Sequence, residues 1–232
     1  MEPIILTSLS LGFTVGLMHA FDPDHLVAMS TMVSRERAIR RSSLLGAMWG
    51  LGHTTSLALV GLAVLALQLT IPPSLSKGME LAVAMMIVGL GGHLIWQSAK
   101  ELNLHRHSHA HDGPTHAHVH LHRQHDLSNH QHHGVRSPTK TFAIGIIHGL
   151  AGSAALILAV MTTMTSTLQG FLYILVFGLG SIGGMLLMSA IMSMPFAVFG
   201  KWITGWQRPA QGIIGMLAVS FGLYFAWSIS LS

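Results

Sequence analysis

The chain has 232 residues, of which 50% are apolar and only 9% charged, against roughly 25% charged in soluble domains. With a mean hydropathy of +0.56 it is neither a soluble globular protein nor a disordered one, and the absence of cysteine excludes disulfides, iron–sulfur clusters and thiolate metal sites. The formal charge is +4, but the basic residues sit in short clusters beside apolar runs, as in cytoplasmic membrane loops and not as on a nucleic-acid-binding surface.

Six apolar segments follow one another, at 4–21, 44–69, 78–97, 142–163, 169–193 and 210–230, each long enough for a helix to cross a bilayer. No basic stretch precedes the first, and polar residues close it, so it reads as a retained span and not as a cleaved signal peptide. Ile71-Pro72-Pro73-Ser74 separates the second and third. The stretch 195–209 opens at Pro195 and mixes Lys201, Trp202, Trp206 and Arg208, a composition suited to the membrane interface.

The loops after spans 1, 3 and 5 hold Arg35, Arg37, Arg40, Arg41, Lys100, Arg106, Arg123, Arg136, Lys140, Lys201 and Arg208, whereas the loops after spans 2 and 4 offer only Lys77. The positive-inside rule then puts the odd-numbered loops in the cytoplasm and both termini outside.

The two halves match in order. Gly16-Leu17-Met18-His19 aligns with Gly145-Ile146-Ile147-His148, Trp49-Gly50-Leu51-Gly52 with Phe177-Gly178-Leu179-Gly180, and Gly91 and Trp96 with Gly222 and Trp227, at offsets of 129, 128 and 131 residues. A repeat of three spans is odd in number, so the second copy enters the membrane inverted, an arrangement typical of transporters. The expected fold is an all-α integral membrane protein of six transmembrane helices in two inverted three-helix repeats. The expected organisation is a first repeat over 1–100, a His-rich cytoplasmic loop over 101–140 and a second repeat over 141–232.

The strongest chemical signal is His19-Ala20-Phe21-Asp22-Pro23-Asp24-His25, in which two carboxylates and two imidazoles fall within seven residues at the end of an apolar span. Ionisable groups in a membrane are costly and mark ion pathways. His19 and Asp22, three apart, share a helix face. Pro23 has no N–H for the carbonyl of His19 and its ring crowds that carbonyl. The helix is therefore expected to kink or open, turning Asp24 and His25 toward His19 and freeing the His19 carbonyl as a further ligand. An oxygen and nitrogen donor set fits Ni²⁺, Co²⁺, Zn²⁺ or Mn²⁺ and not Cu⁺. The 15 methionines are scattered and read as packing.

His53, in Gly50-Leu51-Gly52-His53-Thr54-Thr55-Ser56, either touches the ion or makes an interhelical hydrogen bond. His148 occupies the repeat position of His19, but Ala151 and Ser153 replace the acids, so it is a candidate for supporting the ligands or lining the path. His93 reads as interfacial. Residues 101–140 hold 12 of the 17 histidines, alternating at 105, 107, 109 and 111 and again at 116, 118, 120 and 122. Such a tract binds metal in many geometries and has no core-forming pattern, so disorder is expected without metal.

His19-x4-Asp24-His25 resembles the signature of the nickel/cobalt transporter family, and the continuation Leu26 to Ser34 is similar to its urease-accessory-like branch of membrane proteins. Gly50-Leu51-Gly52-His53-Thr54 and Phe177-Gly178-Leu179-Gly180-Ser181 resemble later motifs of that family. The resemblance spans both halves and leaves out the His-rich loop. It implies transport of Ni²⁺ or Co²⁺ across a bacterial plasma (inner) membrane, with metal binding carried to His19, Asp22, Asp24, His25 and His53. The family motif has alanine between the acids where this chain has Pro23, so a proline-broken helix is a feature of this chain.

No G-x-x-x-x-G-K-[ST] loop occurs, so energy for transport comes from an ion gradient, the membrane potential or a partner. The expectation is a transporter carrying Ni²⁺, with Co²⁺ the alternative ion, inward; it is not an enzyme and holds no cofactor. Its partners are the divalent ion and the lipid bilayer, with a cytoplasmic metallochaperone as candidate recipient and no nucleic acid. Rival readings are an efflux protein of the same fold and a metal-sensing membrane scaffold. An intramembrane metalloenzyme fares worse, because H-E-x-x-H is absent and no Glu lies near the motif.

Overall fold

A computed structural model describes residues 2–36, 38–67, 69, 71–100, 105–109, 116–120, 137–163, 166–199 and 207–231. These residues form helices α1 (Glu2–His19), α2 (Pro23–Val33), α3 (Ile39–Leu67), α4 (Pro73–Lys100), α5 (Pro138–Thr163), α6 (Thr167–Phe199) and α7 (Gln207–Leu231), with strands β1 (His105–His109) and β2 (His116–His120) between α4 and α5. Lys201, Trp202 and Trp206 of the expected interfacial stretch lie outside the described residues. Pro195 lies inside α6 and not at its end.

Among the described residues, four helices are long and apolar enough to cross a bilayer, over Ile39–Val64, Pro73–Lys100, Leu168–Val198 and Gln207–Leu231. The distribution of polarity is the reverse of a soluble protein. Leu59, Leu179, Leu217 and Trp227 stand exposed on the outside, whereas His25, His53, His148, Ser181 and Ser189 are buried. Polar groups turned inward and large apolar groups turned outward suit hydrocarbon as the solvent. The protein is a multi-pass α-helical membrane protein.

The first apolar segment does not continue as one helix. After His19 the chain turns, with Phe21 N–H donating to the Met18 carbonyl at 2.9 Å and Asp22 N–H to the His19 carbonyl at 3.1 Å. Asp22 is extended (φ −61°, ψ 147°) and Pro23 opens α2 at its first turn. The residue before a proline is driven to extended backbone, and a proline lacking its N–H costs nothing where a helix begins. The helix thus opens at Pro23 as expected. The His19 carbonyl accepts one hydrogen bond in the turn, from the Asp22 N–H, on one of its two lone pairs.

Close helix seams come from glycines. In the α1–α6 seam a Cβ on Gly16 would collide with the Phe177 carbonyl, and one on Gly180 with the Phe13 carbonyl; in the α3–α5 seam Gly145 meets the Trp49 carbonyl and Gly52 that of Phe142. In the α4–α7 seam a Cβ on Gly91 would lie 2.7 Å from the Gly215 carbonyl, and one on Gly222 2.9 Å from that of Ala84. Without a hydrophobic force between helices in lipid, such backbone contact is what holds the seams. Packing around α2 buries Met29, Val33, Trp49, Ile87, Met185 and Ala218 in one cluster. The far end of α2 is tied down by Gln211 of α7, whose Nε2 donates to the Ser34 carbonyl at 3.4 Å, and by Arg35, which donates to Gln97 of α4.

Within the His-rich loop the two five-residue strands pair antiparallel, with His105 opposite His120, His107 opposite His118 and His109 opposite His116. The expectation of disorder for the rest of 101–136 falls on residues outside those described.

Candidate metal site

Four helices bring imidazoles to one place. His19 closes α1, His25 lies in the first turn of α2, His53 is the fifteenth of the 29 residues of α3, and His148 is the eleventh of the 26 residues of α5. The break at Ala20–Asp22 makes this meeting feasible. On an unbroken helix His25 would point away from His19, whereas here their rings lie 4.6 Å apart, centroid to centroid, edge to face.

The polar contacts form a chain. His19 Nδ1 is 2.7 Å from Asp22 Oδ2, and His19 Nε2 is 3.3 Å from His53 Nε2. His25 Nδ1 is 3.2 Å from Asp24 Oδ1, and His148 Nε2 is 2.9 Å from Asp24 Oδ2. Asp24 thereby joins two histidines, 124 residues and one residue away in sequence, to a single carboxylate. Buried polar groups normally find partners. Yet His25 Nε2, His53 Nδ1 and His148 Nδ1 are buried without a hydrogen-bond partner among the described residues.

Two sets of ligand atoms result, each with all atoms within 4.8 Å of one another: His19, His25 and His53, and Asp24, His25 and His148. Asp22 belongs to neither; its side chain is 49% exposed and contacts His19. Aromatic walls close the site. Phe177 packs on His19 at 5.4 Å, and Trp49 packs on His25 at 5.1 Å and on His148 at 5.2 Å. These walls pack on the imidazole rings, and the site meets solvent at Asp22, 49% exposed, and at Asp24, 27% exposed.

His53 joins the cluster, and His93 does not. His93 hydrogen-bonds Gln97 at 2.6 Å and lies against Trp96 near the end of α4. His148 is the residue that sequence reading leaves in a supporting role. Its repeat alignment with His19 is the signal that marks it, but only the folded chain brings Asp24 across to it.

Buried imidazoles with partly exposed carboxylates beside them, inside a multi-pass helical protein, are a donor set suited to a divalent ion of borderline softness. The chain belongs to the NicO family, described as high-affinity nickel-transport protein, whose profile matches residues 5–221. It is 35% identical over 230 residues to the urease accessory protein UreH of Bacillus sp. (strain TB-90), covering 98% of this chain and 94% of that protein. It is 27% identical over 189 residues to the chloroplast protein FOR GROWTH AND FERTILITY 1 of Arabidopsis thaliana, covering 76% of this chain and 47% of that one. FOR GROWTH AND FERTILITY 2 of the same plant is 25% identical over 179 residues, covering 77% and 45%. The chain therefore spans about half the length of these two plant proteins. No solved structure matches. The family is one of nickel transport and not of catalysis.

Proposed function

We propose that this protein carries Ni²⁺, or Co²⁺, into the bacterial cytoplasm across the plasma membrane, through His19, Asp24, His25 and His53, with Asp22 at the exposed edge of the path. One observation carries this reading: three imidazoles from three helices converge where α1 is broken and midway along α3. Broken helices that expose ligands at mid-membrane are how transporters hold ions. An imidazole and carboxylate set without sulfur suits Ni²⁺ and Co²⁺.

The architecture proposed for it is six spans in two inverted repeats, with α2 as an additional half-helix in the first. The glycine contacts support this. Exchange of the repeats turns Gly16 against Phe177 into Gly145 against Trp49, Gly180 against Phe13 into Gly52 against Phe142, and Gly91 against Gly215 into Gly222 against Ala84. The aromatic walls exchange likewise, Phe177 on His19 for Trp49 on His148. Clustering of Lys and Arg in odd-numbered loops supports termini outside and the His-rich loop in the cytoplasm. A divalent cation moving inward gains about 4.6 kcal/mol per 100 mV, twice the single-charge value, which suffices for accumulation without a nucleotide-driven motor.

The efflux reading draws on the His-rich loop. The sign of the change in cell nickel decides between them. Expression in metal-starved cells should raise ⁶³Ni uptake, with Co²⁺ competing more strongly than Zn²⁺, and His25→Ala should remove the gain. A fall in cell nickel on expression would reverse the direction. A phosphatase reporter fused after residue 74 should be active and one within 105–133 inactive.

A further inference from the structure

We infer that His148 forms a second ion position, so that the ion is handed across His25 from the His19–His53 side to the His148 side. The inference rests on the transport reading above and adds to it a residue and a step. The two sets of ligand atoms share His25 and nothing else. His25 stands between the repeat mates, its ring 4.6 Å from His19 and 4.3 Å from His148.

Hydrogen bonding names the ligand atoms. A carboxylate only accepts, so each imidazole touching Asp24 donates an N–H to it. His25 then carries its proton on Nδ1, 3.2 Å from Oδ1, and His148 carries its proton on Nε2, 2.9 Å from Oδ2. The lone pairs are left on His25 Nε2 and His148 Nδ1. These are two of the three buried imidazole nitrogens without a partner among the described residues. One carboxylate thus sets the tautomer of two histidines at once, as acids behind metal-binding imidazoles do. On the other side Asp22 accepts from His19 Nδ1 at 2.7 Å, leaving His19 Nε2 for the first position.

Charge gives the order. Each position reaches solvent at one edge, the first through His19, 18% exposed, and the second through Asp24, 27% exposed, while the side chains of His25 and His148 are about 1% exposed. The first position is all imidazole, whereas the second has the Asp24 carboxylate against both of its rings. A divalent cation is drawn from the first to the second, and because His25 Nε2 serves both, it never passes without a ligand. Sites in series that bind without trapping are what conduction through a protein requires.

The test separates binding from transfer in the full-length protein. Equilibrium ⁶³Ni binding in detergent and initial ⁶³Ni uptake in cells are measured on His53→Ala, His148→Gln and His148→Ala. Glutamine keeps a donor for Asp24 near the Nε2 position but offers no Nδ1 lone pair, so it preserves a structural role and removes the ligand. His148→Gln should insert, weaken equilibrium Ni²⁺ binding by about tenfold and lose maximal uptake by about tenfold or more. His53→Ala should instead keep equilibrium binding within about twofold of wild type and raise the half-saturating concentration for uptake by about tenfold. Wild-type uptake in both His148 variants would overturn the second position. So would a parallel loss of binding and uptake in His53→Ala and His148→Gln alike, the mark of one undivided site. Unchanged uptake in His25→Ala would instead overturn the transport reading itself.

Discussion

The end of α1 and the middle of α5 begin from the same pattern and part company after the histidine. Gly16 and Gly145 make matching backbone contacts, and His19 and His148 face matching aromatic walls. After His19 come Ala20, Phe21, Asp22 and Pro23, and the helix stops. After His148 come Gly149, Leu150 and Ala151, and α5 runs on to Thr163. The difference is a proline and two acids. In the proposed repeat the two copies share a packing frame, and the departure of one copy from it makes the candidate site. The broken copy turns Asp24 and His25 into the centre, and the unbroken copy supplies only one imidazole to meet them.

The sharpest way to break that contrast is to remove the acid that joins the two copies. Asp24→Ala strips His25 and His148 of their common acceptor and the ion of its compensating charge. ⁶³Ni uptake should fall by about a hundredfold or to background at equal membrane expression. Uptake near wild type would mean that the two copies act separately.

Next come the seams that the copies share. Gly16→Ala and Gly145→Ala each force a methyl group into a backbone carbonyl of the neighbouring helix. Each should destabilise by about 1–3 kcal/mol, read as a lowered midpoint of thermal unfolding in detergent. Gly89→Ala, where a Cβ meets open space, should lose nothing. A large loss in one of the first pair with none in the other would show that the halves are not packed alike.

Replacing Pro23 by alanine sharpens the comparison from the other side. It restores the missing N–H and lets the first copy approach the continuity of α5. Asp22 is already extended, so the break should persist in part. Stability should change by about 0.5–1 kcal/mol, with uptake reduced but measurable. Full activity would assign the break to the surrounding contacts and not to the proline.

The smallest effect on transport should follow deletion of 105–133, which lies outside both copies. The initial uptake rate should stay essentially unchanged. Metal carried by the intact protein should still differ. Imidazole binds metal only when neutral, with a reference pKa of about 6.5. The loop histidines therefore hold Ni²⁺ at pH 7.5 and release most of it by pH 5, a pH-dependent fraction that the deletion removes. Loss of uptake as complete as in Asp24→Ala would put the loop on the transport path.

Length, apolar runs and the placement of Lys and Arg made the membrane class and the apolar helices legible in the sequence alone, together with the pattern behind the proposed repeat. All are local or periodic properties that hydrocarbon selects segment by segment. The seven-residue run from His19 to His25 marked the candidate site for the same reason, since its ionisable groups have no cheap place in lipid. Pro23 announced the break, because its missing N–H acts within one turn. The hydrogen bond from the Asp22 N–H to the His19 carbonyl was not legible, because it depends on how the turn closes. Nor was the partnership of Asp24 with His148, 124 residues away, or that of His19 with His53, 34 residues away. Those contacts are set by the depth and rotation at which α1, α3 and α5 pack across their glycine seams. That depth and rotation are decided by tertiary close packing, and no spacing along one segment encodes them.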